Sequence, residues 1–196
     1  MIPDPCVGEH YAGVPKAACF GTPASSSAVG ESSDRLVAGR SEVSYSPCMD
    51  SRQLASLLGR FRRVVGDDGV LGPEEDLSGY SHDEFAEEGV AELPGTVCRP
   101  RTTEELASIV SICAEEGVPV TLRGGGTGLS GGCIPVPGGV VLSTERMRSV
   151  PTVDRANRTV TVDAGLPLGD LYEAVEQAGF FFPPHPGDEQ ATVGGA

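Results

Sequence analysis

The sequence predicts an α+β fold. Three observations carry the prediction: a strand–helix–strand run over residues 96–122, a glycine-rich loop directly after it, and an alternating hairpin followed by an amphipathic helix. The folded part is expected to begin near residue 51. Residues 1–50 are rich in Pro, Gly, Ser and Ala, and the run from Gly21 to Gly30 has a period of neither 3.6 nor 2. Such a segment buries too little apolar surface to offset the entropy of ordering it, so it is read as disordered. About 145 residues remain, enough for one hydrophobic core.

The first periodic segment is Ser51 to Val65, where Leu54, Leu57, Leu58, Phe61 and Val65 fall on one helical face. Asp50 or Ser51 can cap its start and Gly66 can end it. A polar connector follows, then Tyr80-Ser81-His82-Asp83 and an acidic stretch from Glu84 to Glu92, so 51–92 reads as a helical lead-in with its connector. The domain proper is expected over 93–196.

Thr96 to Pro100 reads as a short strand. Thr102 and Glu105 form a capping box, in which a hydroxyl accepts at the helix start and a carboxylate three residues on reaches back. Leu106, Ile109, Val110, Cys113 and Ala114 make the apolar stripe of the helix, and Gly117 stops it. Val118 to Leu122 is the next strand, Val140 to Leu142 another. Val150–Asp154 and Thr159–Asp163 alternate across a turn at 155–158. Leu168 to Ala178 is a second amphipathic helix, with Leu168, Leu171, Tyr172 and Val175 on one face and Gly179 at its end.

Composition removes several function classes. The chain has 14 Lys+Arg against 28 Asp+Glu, a net charge of -14. Nucleic acid needs a basic footprint, so no nucleic-acid partner is expected, nor docking on an anionic membrane face. No stretch reaches the roughly 20 apolar residues of a transmembrane segment. The first ten residues lack a basic region followed by an apolar core, so no signal peptide is expected. The six cysteines include no Cys-x-x-Cys pair, which removes zinc-ribbon and iron–sulfur spacing and points to free thiols in a soluble cytoplasmic protein.

The loop from Arg123 to Gly132 carries the most chemistry. Gly124, Gly125, Gly126, Gly128, Gly131 and Gly132 let the backbone turn freely and come close to a ligand. Successive N–H groups can form a nest for a phosphate oxygen, Thr127 and Ser130 add hydroxyl donors, and Arg123 adds positive charge. A Walker A loop is excluded, because it needs a lysine after the glycines and the chain's one lysine is Lys16. Gly126-x-Gly128-x-x-Gly131 matches the Rossmann fingerprint literally, but that motif needs a helix starting inside it. Pro135 and Pro137 oppose such a helix. A turn that merely joins two strands stays open as the plain alternative.

The element order and several short motifs together resemble one family: flavin-linked oxidases with the FAD-binding fold of vanillyl-alcohol oxidase and p-cresol methylhydroxylase (the PCMH type). Glycolate oxidase flavoprotein subunits and D-lactate dehydrogenases look nearest. The motifs are Tyr80–Asp83, Pro94–Pro100, Thr103–Leu106, Val118–Val120, Arg123–Gly132, Asp163–Gly165, Phe182–Pro184, Pro186–Gly187 and Thr192–Gly195. The resemblance implies a two-subdomain fold, a small α/β subdomain and the start of a larger one, with FAD between them. It implies that Arg123, Gly124, Gly125, Gly126, Thr127, Gly128, Ser130 and Gly131 bind FAD, with Gly124 to Gly128 and Ser130 on its pyrophosphate. Thr192, Gly194 and Gly195 would line the flavin.

Some members of that family hold FAD covalently through a histidine at the position of Thr127; a threonine there implies non-covalent FAD. The implied reaction is oxidation of a 2-hydroxy acid such as glycolate or D-lactate, with an iron–sulfur or other electron-acceptor subunit as partner. Family members continue well beyond the Gly194-Gly195 pair, so a C-terminally truncated fragment, inactive alone, is expected. No catalytic residue can be assigned. His185, where the family commonly has Asp, and His82 read as turn and approach residues rather than catalytic groups.

Overall fold

A computed structural model describes residues 51–84 and 91–196. The N-terminal segment expected to be disordered lies outside them, as does most of the acidic stretch. Helix α1 spans Ser51–Val65 and ends as expected, at Gly66 with φ 77°. Strand β1 (Val70–Leu71), which sequence patterning missed because two residues show no period, leads to β2 (Thr96–Cys98). Helix α2 (Thr103–Glu116) joins β2 to β3 (Val120–Arg123), and β4 (Val140–Ser143) follows the glycine loop. Strands β5 (Thr152–Asp154) and β6 (Thr159–Thr161) form the expected hairpin, and α3 (Leu168–Gln177) comes last.

Four strands make one sheet in the order β1-β2-β4-β3. Strand β4 lies parallel to both β2 and β3, while β1 is an antiparallel edge. The inner strands β2 and β4 are buried at every position, as strands covered on both faces are. Cys98, Val140 and Leu142 point to α1 and α2 and pack with Leu57, Phe61, Ile109 and Cys113. Val97 and Val141 point the other way, onto Leu77 and Tyr80.

Helix α2 starts as the capping box requires. The Glu105 amide donates to Thr102 Oγ1 at 3.2 Å, and the Glu105 carboxylate accepts from the Arg101 amide at 2.7 Å, one residue further back than the motif's usual target. Its buried face is Ile109, Ile112 and Cys113, and Val110 is exposed. The expected stripe held Val110 in place of Ile112; packing against α1 chose the other of two apolar neighbours. Arg60 of α1 pairs with Glu115 and Glu116 at the end of α2, at 2.5 and 2.6 Å.

Leu168, Leu171 and Val175 of α3 bury with Leu166 in a separate, smaller cluster backed by Val160, Phe180 and Phe182. Cys98, Cys113 and Cys133 are free thiols, and burial pushes the Cys113 thiol up to about 11. Among the described residues no helix is long and apolar enough to cross a membrane.

Candidate functional site

The glycine loop leaves the carboxyl end of β3, beside the carboxyl end of β4, the edge where open sheets with parallel strands bind ligands. No helix forms between Gly124 and Gly139, so the Rossmann reading fails, as the two prolines require. Gly126 has φ 80° and Gly131 φ 76°, values that L side chains rarely adopt. A Cβ on Gly126 would also collide with the Arg123 guanidinium.

Close contact with residues 190–192 explains Gly124 and Gly125. A Cβ on Gly124 would meet Thr192 Oγ1, and one on Gly125 would sit 2.6 Å from the Gln190 carbonyl oxygen. The segment carrying those partners is held by its own ladder. Leu168 N donates to Ala191 O at 2.9 Å, Val193 N to Leu166 O at 2.9 Å, and Gly194 N to Ala164 O at 2.9 Å. Thr192 is buried and bridges to Pro167. Gly194 lacks a side chain for a packing reason: its Cβ would lie 2.8 Å from that of Ala164.

Behind the loop, a polar network ties the carboxyl ends of the strands together. The Tyr80 hydroxyl donates to the Glu145 carboxylate at 3.0 Å, Arg99 reaches the same carboxylate at 3.3 Å, and Ser143 Oγ donates to it at 3.2 Å. Burial, then the adjacent carboxylate, holds the Tyr80 hydroxyl above its usual pKa, so it stays a donor. The Arg123 guanidinium lies 5.8 Å from the Tyr80 ring centroid and donates to the His82 carbonyl at 2.5 Å. Asp83, buried, accepts from the Gly131 amide at 2.8 Å.

The structure therefore brings together residues that sequence grouped only by resemblance. Gly124 and Gly125 meet the Gln190–Thr192 segment, and Gly194 and Gly195 continue from it with exposed main chain. Gly128 and Ser130 are exposed along the outer part of the loop, and Thr127 is half-buried. Arg123 turns toward His82 and Gly126. Sequence reasoning missed Gln190 and gave Asp83 no role; the only sign of Asp83 was its place in the Tyr80–Asp83 motif, 48 residues from its partner.

Two clefts lie elsewhere, on the α3 side. One of about 660 Å³ is lined by Asp170, Tyr172, Phe181 and His185, among others, and a second of about 430 Å³ by Val160, Val175 and Phe180–Phe182. His185 is exposed, with Nδ1 3.2 Å from the Tyr172 hydroxyl.

The loop fits an anion. Among the described residues no amide from Gly124 to Ser130 donates to a protein acceptor, so a row of N–H groups remains available beside the Thr127 and Ser130 hydroxyls. The Gly131 amide already donates to a carboxylate oxygen. A dinucleotide diphosphate suits such a donor set.

Residues 94–196 match the family described as FAD binding domain. The D-lactate dehydrogenase of Archaeoglobus fulgidus is 48% identical over 99 residues, 50% of this chain and 22% of that protein. The glycolate oxidase subunit GlcD of Bacillus subtilis is 40% identical over 117 residues, 59% of this chain and 24% of that protein. The crystal structure of p-cresol methylhydroxylase with substrate bound superposes with a TM-score of 0.65 at 22% identity, covering 75% of this chain and 29% of that one, and so has the same fold. The chain spans less than a third of the length of the curated relatives it matches.

Proposed function

The chain belongs to the FAD binding domain family, and from that premise we propose that it is the FAD-binding part of an oxidoreductase that converts a 2-hydroxy acid of the glycolate or D-lactate type to the 2-oxo acid. One observation carries the site assignment: Gly124 and Gly125 are pressed against Thr192 and Gln190 while the amides of 124–130 donate to no acceptor among the described residues. Those amides, with Thr127, Gly128 and Ser130, are the groups proposed to hold the FAD diphosphate, with Gly131 and Arg123 shaping the loop. Thr192, Gly194 and Gly195 are proposed to line the flavin. The substrate class is supported by the D-lactate dehydrogenase and glycolate oxidase similarities.

Held by these residues, FAD would supply the two-electron redox chemistry that oxidation of a hydroxy acid requires. The residues of this chain bind and orient. Thr127 carries no imidazole where some family members attach FAD through a histidine, which supports non-covalent binding. An iron–sulfur or other electron-acceptor subunit is proposed as the partner.

Gly126→Val tests the assignment. The branched side chain cannot take φ 80° and would strike the Arg123 guanidinium, so the purified variant is expected to lose the flavin absorbance bands that the parent chain shows after loading with FAD. Release of flavin from the parent by denaturation would support non-covalent binding. Equal flavin content in parent and variant would overturn the site. A parent chain that takes up no flavin favours the alternative, a non-catalytic fragment.

A further inference from the structure

The Tyr80–Asp83 motif has no part in the function just proposed, yet two of its residues grip the glycine loop from outside. The His82 carbonyl accepts from Arg123 Nη1 at the start of the loop, at 2.5 Å. The Asp83 carboxylate accepts from the Gly131 amide at its far end, at 2.8 Å, and lies 3.5 Å from where a Cβ on Gly128 would stand. Asp83 is 2% exposed although it is a carboxylate, a placement that is costly unless its oxygens are hydrogen-bonded.

We propose that Asp83 is a positioning residue for the glycine loop: it fixes Gly131 and so holds the 124–130 amides in the shape that receives the FAD diphosphate. This rests on the cofactor reading above. The benefit of this tie is entropic. A run with glycine at 124, 125, 126, 128, 131 and 132 has wide conformational freedom, and freezing it when the ligand arrives would weaken binding. Contact with Gln190 and Thr192 anchors the loop near Gly124 and Gly125. Between there and Gly131 the amides donate to no protein group among the described residues. The Asp83 carboxylate is therefore the tie that closes the loop at its other end.

What matters on this account is an acceptor oxygen at position 83, and not its negative charge. The charge, if anything, opposes a diphosphate nearby. That separates two variants. Asp83→Asn keeps an acceptor, whereas Asp83→Ala removes it.

The test uses the full chain and two readouts. Hydrogen exchange, measured without FAD, is expected to show the Gly131 amide and the 124–132 peptide exchanging at least tenfold faster in Asp83→Ala than in the parent, with Asp83→Asn within threefold of the parent. FAD titration by flavin fluorescence is expected to give a Kd raised at least tenfold in Asp83→Ala and unchanged or lowered in Asp83→Asn. If Asp83→Ala does not fold by circular dichroism, Asp83→Leu, which fills the space without an acceptor, takes its place in both measurements. Parental exchange and parental Kd in the acceptor-free variant would overturn the proposal, as would an Asn variant as impaired as the acceptor-free one. A parent that binds no FAD would sink the cofactor reading alone, and the exchange measurement would still decide whether Asp83 braces the loop.

Discussion

The two halves of the described chain are built on different terms. The first half, α1, α2 and the four-stranded sheet, has a core of large, fully buried side chains such as Leu57, Phe61, Ile109 and Leu142. Its inner strands are buried along their whole length. The second half, the β5–β6 hairpin, α3 and the segment to Ala196, buries Leu166, Leu168, Leu171 and Val175, and its hairpin strands are exposed at alternate residues. It is held largely by main-chain pairing, such as Leu168 with Ala191 and Val193 with Leu166. The difference teaches where a ligand can sit. A dense apolar core supports stability, and the thinner half offers the exposed backbone that meets the glycine loop at the seam.

The largest break in that comparison is expected from Phe61→Ala. Phe61 is fully buried in the first core, and emptying that space should cost about 3–5 kcal/mol, read as a lowered urea midpoint. If fluorescence and circular dichroism then show one shared transition, the second half depends on the first core; two separated transitions would mean it stands alone.

A smaller effect is expected at the joint between the halves. A Cβ on Gly165 would collide with the Thr144 carbonyl oxygen and come within 2.8 Å of that of Met147, whose carbonyl accepts the Gly165 amide at 3.1 Å. Gly165→Ala should therefore cost about 1–3 kcal/mol, by the same urea measurement, through backbone displacement. A neutral result would mean that the two halves slide apart at little cost.

The smallest effect concerns the hairpin turn. The Asn157 amide, its side chain and the Ala156 amide donate to the Asp154 carboxylate at 3.0, 2.7 and 2.9 Å, which holds that carboxyl below the usual Asp pKa. A depressed carboxyl contributes stability above its unfolded pKa and loses it as pH falls through the folded one. Amide exchange at Ala156 and Asn157, corrected for the intrinsic pH dependence, should thus be well protected at neutral pH and lose protection below about pH 4. Protection that is the same on both sides of that range would show the turn to be held by β5–β6 pairing instead.

Much of the local structure was legible. Periodicity placed α1, the hairpin and α3, because amphipathic spacing and alternation are properties of the chain itself. The capping pair Thr102 and Glu105 and the αL glycine at 117 set the ends of α2 for the same reason. Val110 was misread because both it and Ile112 are apolar, and only the position of α1 decides which is covered. Strand β1 escaped because its pairing with β2 is a long-range event.

What the sequence determined by itself is the chemistry of the loop: glycines without a following helix, no lysine, and hydroxyls at Thr127 and Ser130. Those features depend on backbone freedom and side-chain type, which are local. Tertiary structure alone decided that this loop lies on Gln190 and Thr192, that β4 inserts between β2 and β3, and that Asp83 reaches Gly131. Each of these joins residues distant along the chain, and only folding the whole sheet and packing the second half against it brings them within hydrogen-bonding or van der Waals reach.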